Sequence, residues 1–455
     1  MSAGRAVVIG MGRSGAACAR VLDAEGYAVE VVDSADTDRA RQLAASLPPS
    51  VAVTLGGYAE GVVDGAALVC PSPGVPWDAP ELRRARAAGI PVRSEIDLTF
   101  ERCPAPIAGI TGTNGKTTTT TLLGELLRAG GGGVHVGGNI GIPLLDTLAE
   151  VSAGDWVVLE LSSFQLESAS RPRCRLAAVL NLGPDHLDRH GSMEGYAAAK
   201  RRIVEHADPA GAVVLNGADA EVLRMAPSSP APVLRFARDR SLLGDGDGAA
   251  VVEGTIVSVE RGGLVEILPA AEVPLFGAHN VDNVLAATTM ARRAGVAAGA
   301  IAGAVRAFHA VDHRLQTVCD HGGVLWVNDS KATNVDAAVT ALRSFDRPIV
   351  WIGGGGSKGV GPEALAEEVA LRARHAILQG ATGPELESAL AALGFASRTL
   401  VPDLASAVAA AHRVAQPGDV VLLAPGYTSF DQHSSYEERG RLFTAHVHTL
   451  AGAVA

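Results

Sequence analysis

An α/β protein of three domains with mainly parallel sheets is predicted by three observations. Short apolar strands alternate with helical patterns along almost the whole chain. Two glycine-rich turns each close a strand and open a helix, the arrangement that takes phosphate in such folds. At 455 residues the chain also exceeds what one hydrophobic core serves.

The elements follow in order. The strand RAVVIG from Arg5 opens a first stretch, residues 1–104, which ends in a helical pattern and the Pro-rich turn CPAP. A strand into Gly109 opens the second, residues 105–308, with DWVVLEL from Asp155, a hairpin-like β stretch around 249–275 and Ala-rich helices between Asn280 and Phe308. The third, residues 309–455, carries the strands PIVWIGG from Pro348 and DVVLLAPG from Asp419. Glycines at 130–133 and 353–356 read as loops, and no solenoid-length repeat is present.

Composition narrows the class. Hydrophobic residues make up 47% and charged residues 19%, as in soluble globular proteins. No apolar run approaches a membrane span, and the start MSAGRAVVIGMG has neither a basic lead nor a cleavage site, so a cytoplasmic protein is expected. A net charge of −11 argues against nucleic acid as a partner. The five cysteines are scattered without a CxxC pair and read as reduced thiols.

Of 38 Lys and Arg residues only four are lysines: Lys116, Lys200, Lys331 and Lys358. A GC-rich coding sequence accounts for the excess of arginine but not for which lysines remain. Where a compact ammonium or a deprotonatable amine is needed, guanidinium cannot substitute. These four are candidates for chemistry.

Gly10-Met11-Gly12-Arg13-Ser14-Gly15 closes a strand and opens a helix, and Asp33 ends the next strand. This is the Rossmann-like dinucleotide fingerprint, for which NAD is the default ligand. Ser72-Pro73-Gly74 follows another strand end, where the same sheet could complete an anion pocket. ITGTNGKTTTTT, from Ile110 to Thr121, departs from the strict phosphate-loop pattern because Ile110 stands where glycine is usual. Its physics is intact: Gly112 and Gly115 free backbone N–H groups, Lys116 supplies a point charge and Thr117 a hydroxyl for Mg²⁺.

Glu160 ends DWVVLE, and Asp185-His186-Leu187-Asp188-Arg189 follows AAVLNL, so hard ligands stand beside the phosphate loop at one sheet edge. Lys200 lies in a helix that Ser192 can cap, beside Arg201 and Arg202; a solvated face would be as well served by a third arginine. His313-Arg314, NDSKATN from Asn328, the run Gly353–Lys358 and Ser429-Phe430-Asp431 all leave or follow strands of the third stretch.

Together these strings resemble the Mur ligase family across essentially the whole chain. ITGTNGKTTT and His313-Arg314 match much of the family. Gly138-Asn139-Ile140-Gly141, ELSSFQLE, DHLDRH and NDSKATN are similar to its glutamate-adding branch. The resemblance implies a Rossmann-like first domain, a central mononucleotide-binding ATPase domain and a Rossmann-like α/β third domain. It implies an ATP-dependent carboxylate–amine ligase that joins D-glutamate to UDP-N-acetylmuramoyl-L-alanine, in the cytoplasm and as a monomer.

Residue by residue, the resemblance puts UDP, not NAD, against Arg13, Ser14, Asp33, Ser72, Pro73, Gly74 and Asn139. ATP would meet Gly112, Thr113, Asn114, Gly115, Lys116, Thr117, Thr118, Asn283, Arg314 and Asp329. Thr117 and Glu160 would serve one Mg²⁺, and His186 with a carbamylated Lys200 a second. Lys116, His186 and Lys200 would be catalytic. The amino acid would meet His186, Arg189, Lys331, Thr333, Lys358, Ser429 and Tyr436. The sequence departs from the family pattern at Gln316, where Glu is usual, and in the loop Gly426-Tyr427-Thr428. Two other classes stand as alternatives: an NAD-dependent oxidoreductase fused to an NTPase, and a catalytically silent nucleotide-binding regulator.

Overall fold

A computed structural model describes residues 3–261, 263–309, 311–357 and 359–452, the side chains of Asp188 and Ala451 excepted. Among the described residues three sheets form, each inside one of the three stretches read from the sequence. The first consists of β1 (Arg5–Ile9), β2 (Ala28–Asp33), β3 (Ala52–Leu55) and β4 (Leu68–Pro71), all parallel in the order β3-β2-β1-β4. β1 is almost wholly buried and carries no polar alternation, as expected of a strand covered on both faces. The helix Arg13–Ala24 follows it closely: a Cβ on Gly15 would lie 2.0 Å from the Gly10 carbonyl oxygen, so only glycine permits this approach.

The second sheet has nine strands in the order β13-β12-β11-β10-β9-β8-β5-β7-β6. They are β5 (Ile107–Thr111), β6 (Val134–Gly138), β7 (Trp156–Glu160), β8 (Leu176–Val179), β9 (Ala212–Asn216), β10 (Val233–Asp239), β11 (Gly248–Val252), β12 (Thr255–Glu260) and β13 (Gly263–Pro269). Pairing is parallel from β6 across to β11; the expected hairpin stretch then adds β12 and β13 antiparallel at one edge. Ile110 pairs with Glu160 and Thr111 with Val179, so the loops leaving β5, β7 and β8 emerge side by side.

The third sheet runs β14-β15-β19-β16-β17-β18, from β14 (Gln316–His321), β15 (Val324–Asn328), β16 (Ile349–Gly353), β17 (Ala373–Leu378), β18 (Arg398–Leu400) and β19 (Val420–Leu423). Only β14 is antiparallel to its neighbour. Its strands alternate between two cores: Ile349 and Trp351 of β16 face one, Val350 and Ile352 the other.

The chain divides into two compact units. One holds Met1–Glu272 and Asp282–Arg306, with the first two sheets together; the other holds Val273–Val281 and Ala307–Ala455. Within the first unit, Leu98 and Leu145 complete the core beneath β1, and Arg20 pairs with Asp146 at 2.8 Å. Asp97 caps its own helix through Ser94 and also accepts from the Ser170 N–H at 2.6 Å. Among the described residues no helix is long and apolar enough to cross a membrane.

Candidate active site

The phosphate loop lies between β5 and the helix Lys116–Ala129. Gly115 has φ of 82°, and a Cβ there would meet Asn283 Oδ1 at 2.3 Å. That oxygen accepts from the Thr119 hydroxyl at 3.2 Å, so Asn283 borders the loop as expected. Thr117 and Thr118 are buried in the first helical turn. Lys116 Nζ arches over its own loop and donates to the carbonyls of Gly112 and Thr113 at 2.9 and 2.7 Å.

Asn181 was not found by sequence reasoning. Its side chain accepts from the Asn114 N–H at 2.8 Å and donates to the Asn114 carbonyl at 3.1 Å. The Thr113 hydroxyl accepts from the Gly183 N–H at 3.0 Å and lies 3.1 Å from the Tyr196 hydroxyl. The loop leaving β8 thus clasps the phosphate loop in place.

Glu160, 2% exposed, accepts from Thr117 Oγ1 at 2.7 Å and from Asn139 Nδ2 at 2.9 Å. Asn139, expected to reach the UDP site, donates here to that carboxylate. Lys200 is 1% exposed, its amine 2.8 Å from the Gly112 carbonyl and 4.6 Å from the centre of the Tyr196 ring. Burial pushes that amine well below the usual lysine value, and the Lys116 charge pushes the same way. Ser192 caps its helix, as the sequence implied.

His186 takes a left-handed conformation, φ 52° and ψ 34°, and its ring meets Phe164 edge-on at 4.8 Å. His190, also missed, contacts Ser163 Oγ at 3.0 Å, and burial holds it below the usual histidine value. Hard oxygen ligands beside a phosphate loop fit Mg²⁺: Thr117 and Glu160 offer them directly, while a bare Lys200 offers none. Among the described residues no cluster of three His, Cys, Asp or Glu side chains could hold a metal.

In the same unit, Asp33 accepts from the Met11 N–H at 2.6 Å and ties β2 to the glycine turn. Ser72 Oγ donates to the Gly10 carbonyl at 2.8 Å, which brings the Ser72-Pro73-Gly74 turn against it. Arg13 donates to the Gly141 carbonyl at 2.7 Å, and Ser14 lies in the first turn of the helix beside it. Arg189 pairs with Glu167 and donates to the Val75 carbonyl at 3.1 Å.

The second unit gathers the other expected residues. Asp329 accepts from the Leu315 N–H at 3.1 Å, and burial pushes its carboxyl up to about 6 against the pull of Arg314. The Lys331 amine lies 5.5 Å from the centre of the Tyr436 ring, and the Thr333 N–H donates to the Lys331 carbonyl. Ser429 is buried beside Thr428, which bridges to Gly356. Lys358 lies outside the described residues.

Gln316 uses both ends of its amide: its oxygen accepts from the His313 N–H at 3.0 Å and its nitrogen donates to Asp312 at 2.7 Å. Within the 426–428 loop, Tyr427 is buried and Thr428 donates to the Gly356 carbonyl at 3.1 Å. Arg439, unmarked in the sequence, is 1% exposed and donates to the carbonyls of Ser330 and Thr428 at 2.9 and 3.1 Å. Burial lowers its guanidinium to about 10.

A phosphate-loop sheet in a chain that carries two further α/β sheets defines a multidomain α/β protein of the nucleotide-binding class. Family models place it further. The Mur ligase MurD-like N-terminal domain matches residues 4–94, the Mur ligase middle domain 110–291 and the Mur ligase glutamate ligase domain 313–426. The chain belongs to the Mur ligase family.

Curated relatives named UDP-N-acetylmuramoylalanine--D-glutamate ligase align along nearly the full length. That of Koribacter versatilis is 42% identical over 98% of both chains, and that of Symbiobacterium thermophilum 41% over 98% of both. Among solved structures, a UDP-N-acetylmuramate-alanine ligase from Thermotoga maritima shares the fold, with TM-score 0.61 and 20% identity, covering 98% of this chain and 99% of that one. A MurF ligase from the same organism, solved with ADP, has TM-score 0.61 and 17% identity over 99% and 96%. The oxidoreductase and silent-regulator alternatives find no support: the matched models and the named relatives are ligases.

Proposed function

We propose that the chain joins glutamate, in the D form, to UDP-N-acetylmuramoyl-L-alanine with hydrolysis of ATP. The full-length likeness to relatives named for that reaction carries the reading. The glycine turn Gly10–Gly15, with Arg13, Ser14, Asp33, Ser72, Pro73 and Gly74, would hold UDP. Lys331, Thr333, Lys358, Ser429 and Tyr436 would surround the amino acid, and Arg314 and Asp329 would contribute to ATP.

The L-alanyl carboxylate attacks the γ-phosphorus and ADP leaves, giving an acyl phosphate. The glutamate amine then attacks the acyl carbon, and the tetrahedral adduct expels phosphate. Such chemistry asks of a protein positioning and charge neutralisation. The Gly115 N–H at the helix start and the Lys116 ammonium would bind and orient the phosphates, on a loop that Asn181 holds through the Thr113 and Asn114 N–H groups. Mg²⁺, when bound, neutralises charge on those phosphates; Thr117 and Glu160 would hold one ion, His186 and a carbamate on Lys200 a second. Burial favours the neutral amine of Lys200, the form that would react with CO₂ and lose one proton to give an anionic oxygen donor. ATP and a nucleotide sugar as substrates favour the cytoplasm, and the reading takes the chain as a monomer.

The test is phosphate release with UDP-N-acetylmuramoyl-L-alanine and, separately, D-Glu, L-Glu, L-Ala and L-Lys. Release only with D-Glu is expected. Release without any amino acid, or a preference for another one, would overturn the assignment.

A further inference from the structure

Arg189 lies in the short helix Leu187–His190, directly after the left-handed His186. Its Nε and Nη2 both donate to Glu167 Oε2, at 3.2 and 2.9 Å. Nη2 also reaches the Val75 carbonyl at 3.1 Å, and the guanidinium carbon stands 4.9 Å from the centre of the Phe164 ring. The side chain is only 16% exposed. The Nε–Nη2 edge of the fork is thus given to a single oxygen of Glu167.

Val75 closes a turn whose N–H returns to the Ser72 carbonyl at 2.9 Å. Ser72 in turn is bound to β1 and its glycine turn, its N–H to the Ile9 carbonyl and its hydroxyl to the Gly10 carbonyl, both at 2.8 Å. Arg189 therefore ties the turn on the first sheet to the helix Ser163–Ser168 of the second. Phe164 of that helix carries both the Arg189 guanidinium and the His186 ring.

We propose that Arg189 is a positioning residue for the sugar nucleotide, latching the Ser72–Val75 turn to the helix that supports His186, and that it does not recognise the amino acid. The inference rests on the function proposed above. Loss of the latch lets the turn move against the phosphate loop, so the acceptor carboxylate loses its register with ATP.

The experiment compares the full chain with Arg189→Met, Arg189→Lys, Glu167→Gln and the Arg189→Met/Glu167→Gln double variant, measuring KM for each substrate. Arg189→Met should raise KM for UDP-N-acetylmuramoyl-L-alanine by about tenfold or more, the loss expected on removing a charge-assisted bond, and leave KM for glutamate unchanged. Glu167→Gln should move the same KM in the same direction, and the double variant should be no worse than Arg189→Met, because the two residues act as one unit. Arg189→Lys, able to reach one acceptor, should recover part of the loss. A rise in KM for glutamate instead, or a uniform fall in kcat with every KM unchanged, overturns the latch. A wild type that releases no phosphate strikes the function reading. The latch is then read by the thermal stabilisation that UDP confers, and undiminished stabilisation of Arg189→Met overturns it.

Discussion

Lys116 and Lys200 donate to one acceptor, the Gly112 carbonyl, at 2.9 and 2.8 Å. Two ammonium groups cannot share such a point cheaply, and the buried one yields: Lys200 is pushed toward the neutral amine, with Lys116 among the causes. On the proposed reading, Lys116 serves as the loop's cation and Lys200 as the amine that carbon dioxide would modify. Their two chemistries are separable by substitution.

Lys116→Arg keeps the charge but replaces a point with a wide fork in a loop whose carbonyls hold the amine at 2.7 and 2.9 Å. Phosphate release should fall by about two orders of magnitude or more, the scale of losing a well-placed electrostatic contact. Circular dichroism should show the fold intact. Release near the wild-type rate would remove Lys116 from the catalytic set.

For Lys200, the expectation is a carbamate. Lys200→Ala and Lys200→Arg should both lose ligation, since neither can form one, and short carboxylic acids should partly restore the Ala variant. Depleting CO₂ should slow the wild type, and bicarbonate should restore it. A carbamate carbon should be visible by NMR after addition of ¹³C-bicarbonate. Wild-type ligation by Lys200→Arg would return this lysine to the scaffold.

Asn181→Ala tests a residue that the sequence did not mark. Both ends of its amide hold Asn114, so the variant loses two bonds at the phosphate loop, each worth about 1 kcal/mol. KM for ATP should rise by about thirtyfold on that scale, with KM for the sugar nucleotide little changed. Unaltered ATP kinetics would show that the loop holds its shape without the clasp.

The contrast with Lys116 says what a sequence displays. Phosphate-loop chemistry is contiguous: glycines, lysine and threonine stand within a few residues, and turn constraints fix their types. The strand ends at Asp33, Glu160 and Asn328 were legible for the same reason, since apolar runs mark where strands stop. Asn181 lies 67 residues from its partner Asn114, and Arg189 lies 114 from Val75. Such pairings exist only once β5 and β8 are neighbours, or once the first sheet packs on the second. Arg439 was hidden by composition: in a chain that uses arginine so widely, one more carries no signal.

Gln316 replaces the expected Glu, and the structure gives the replacement a use. A carboxylate could still accept from the His313 N–H, but it could not donate to Asp312, and two negative charges would stand about 3 Å apart. Gln316→Glu should therefore lower stability by about 1 kcal/mol at pH 7. Chemical denaturation at that pH measures it. Equal stability at pH 7 would show that the Asp312 contact contributes nothing.

Glu95 gives the pH prediction. It is 1% exposed, at the start of the helix Glu95–Arg102, and accepts from the Thr99 hydroxyl at 3.2 Å. Burial pushes its carboxyl up from 4.5 to about 7, opposed by hydrogen bonds from Thr99 and Gln165. A raised folded value means that the native state holds the proton more tightly than the unfolded chain. The stabilisation is then fully present below about pH 4.5 and is lost as pH rises through about 7. A carboxyl held at about 7 instead of 4.5 corresponds to about 3 kcal/mol. Glu95→Gln keeps the shape and an acceptor for Thr99 but never ionises. Its melting temperature should match the wild type near pH 4.5 and exceed it increasingly toward pH 8. A constant difference across that range would show that Glu95 titrates as an ordinary carboxylate.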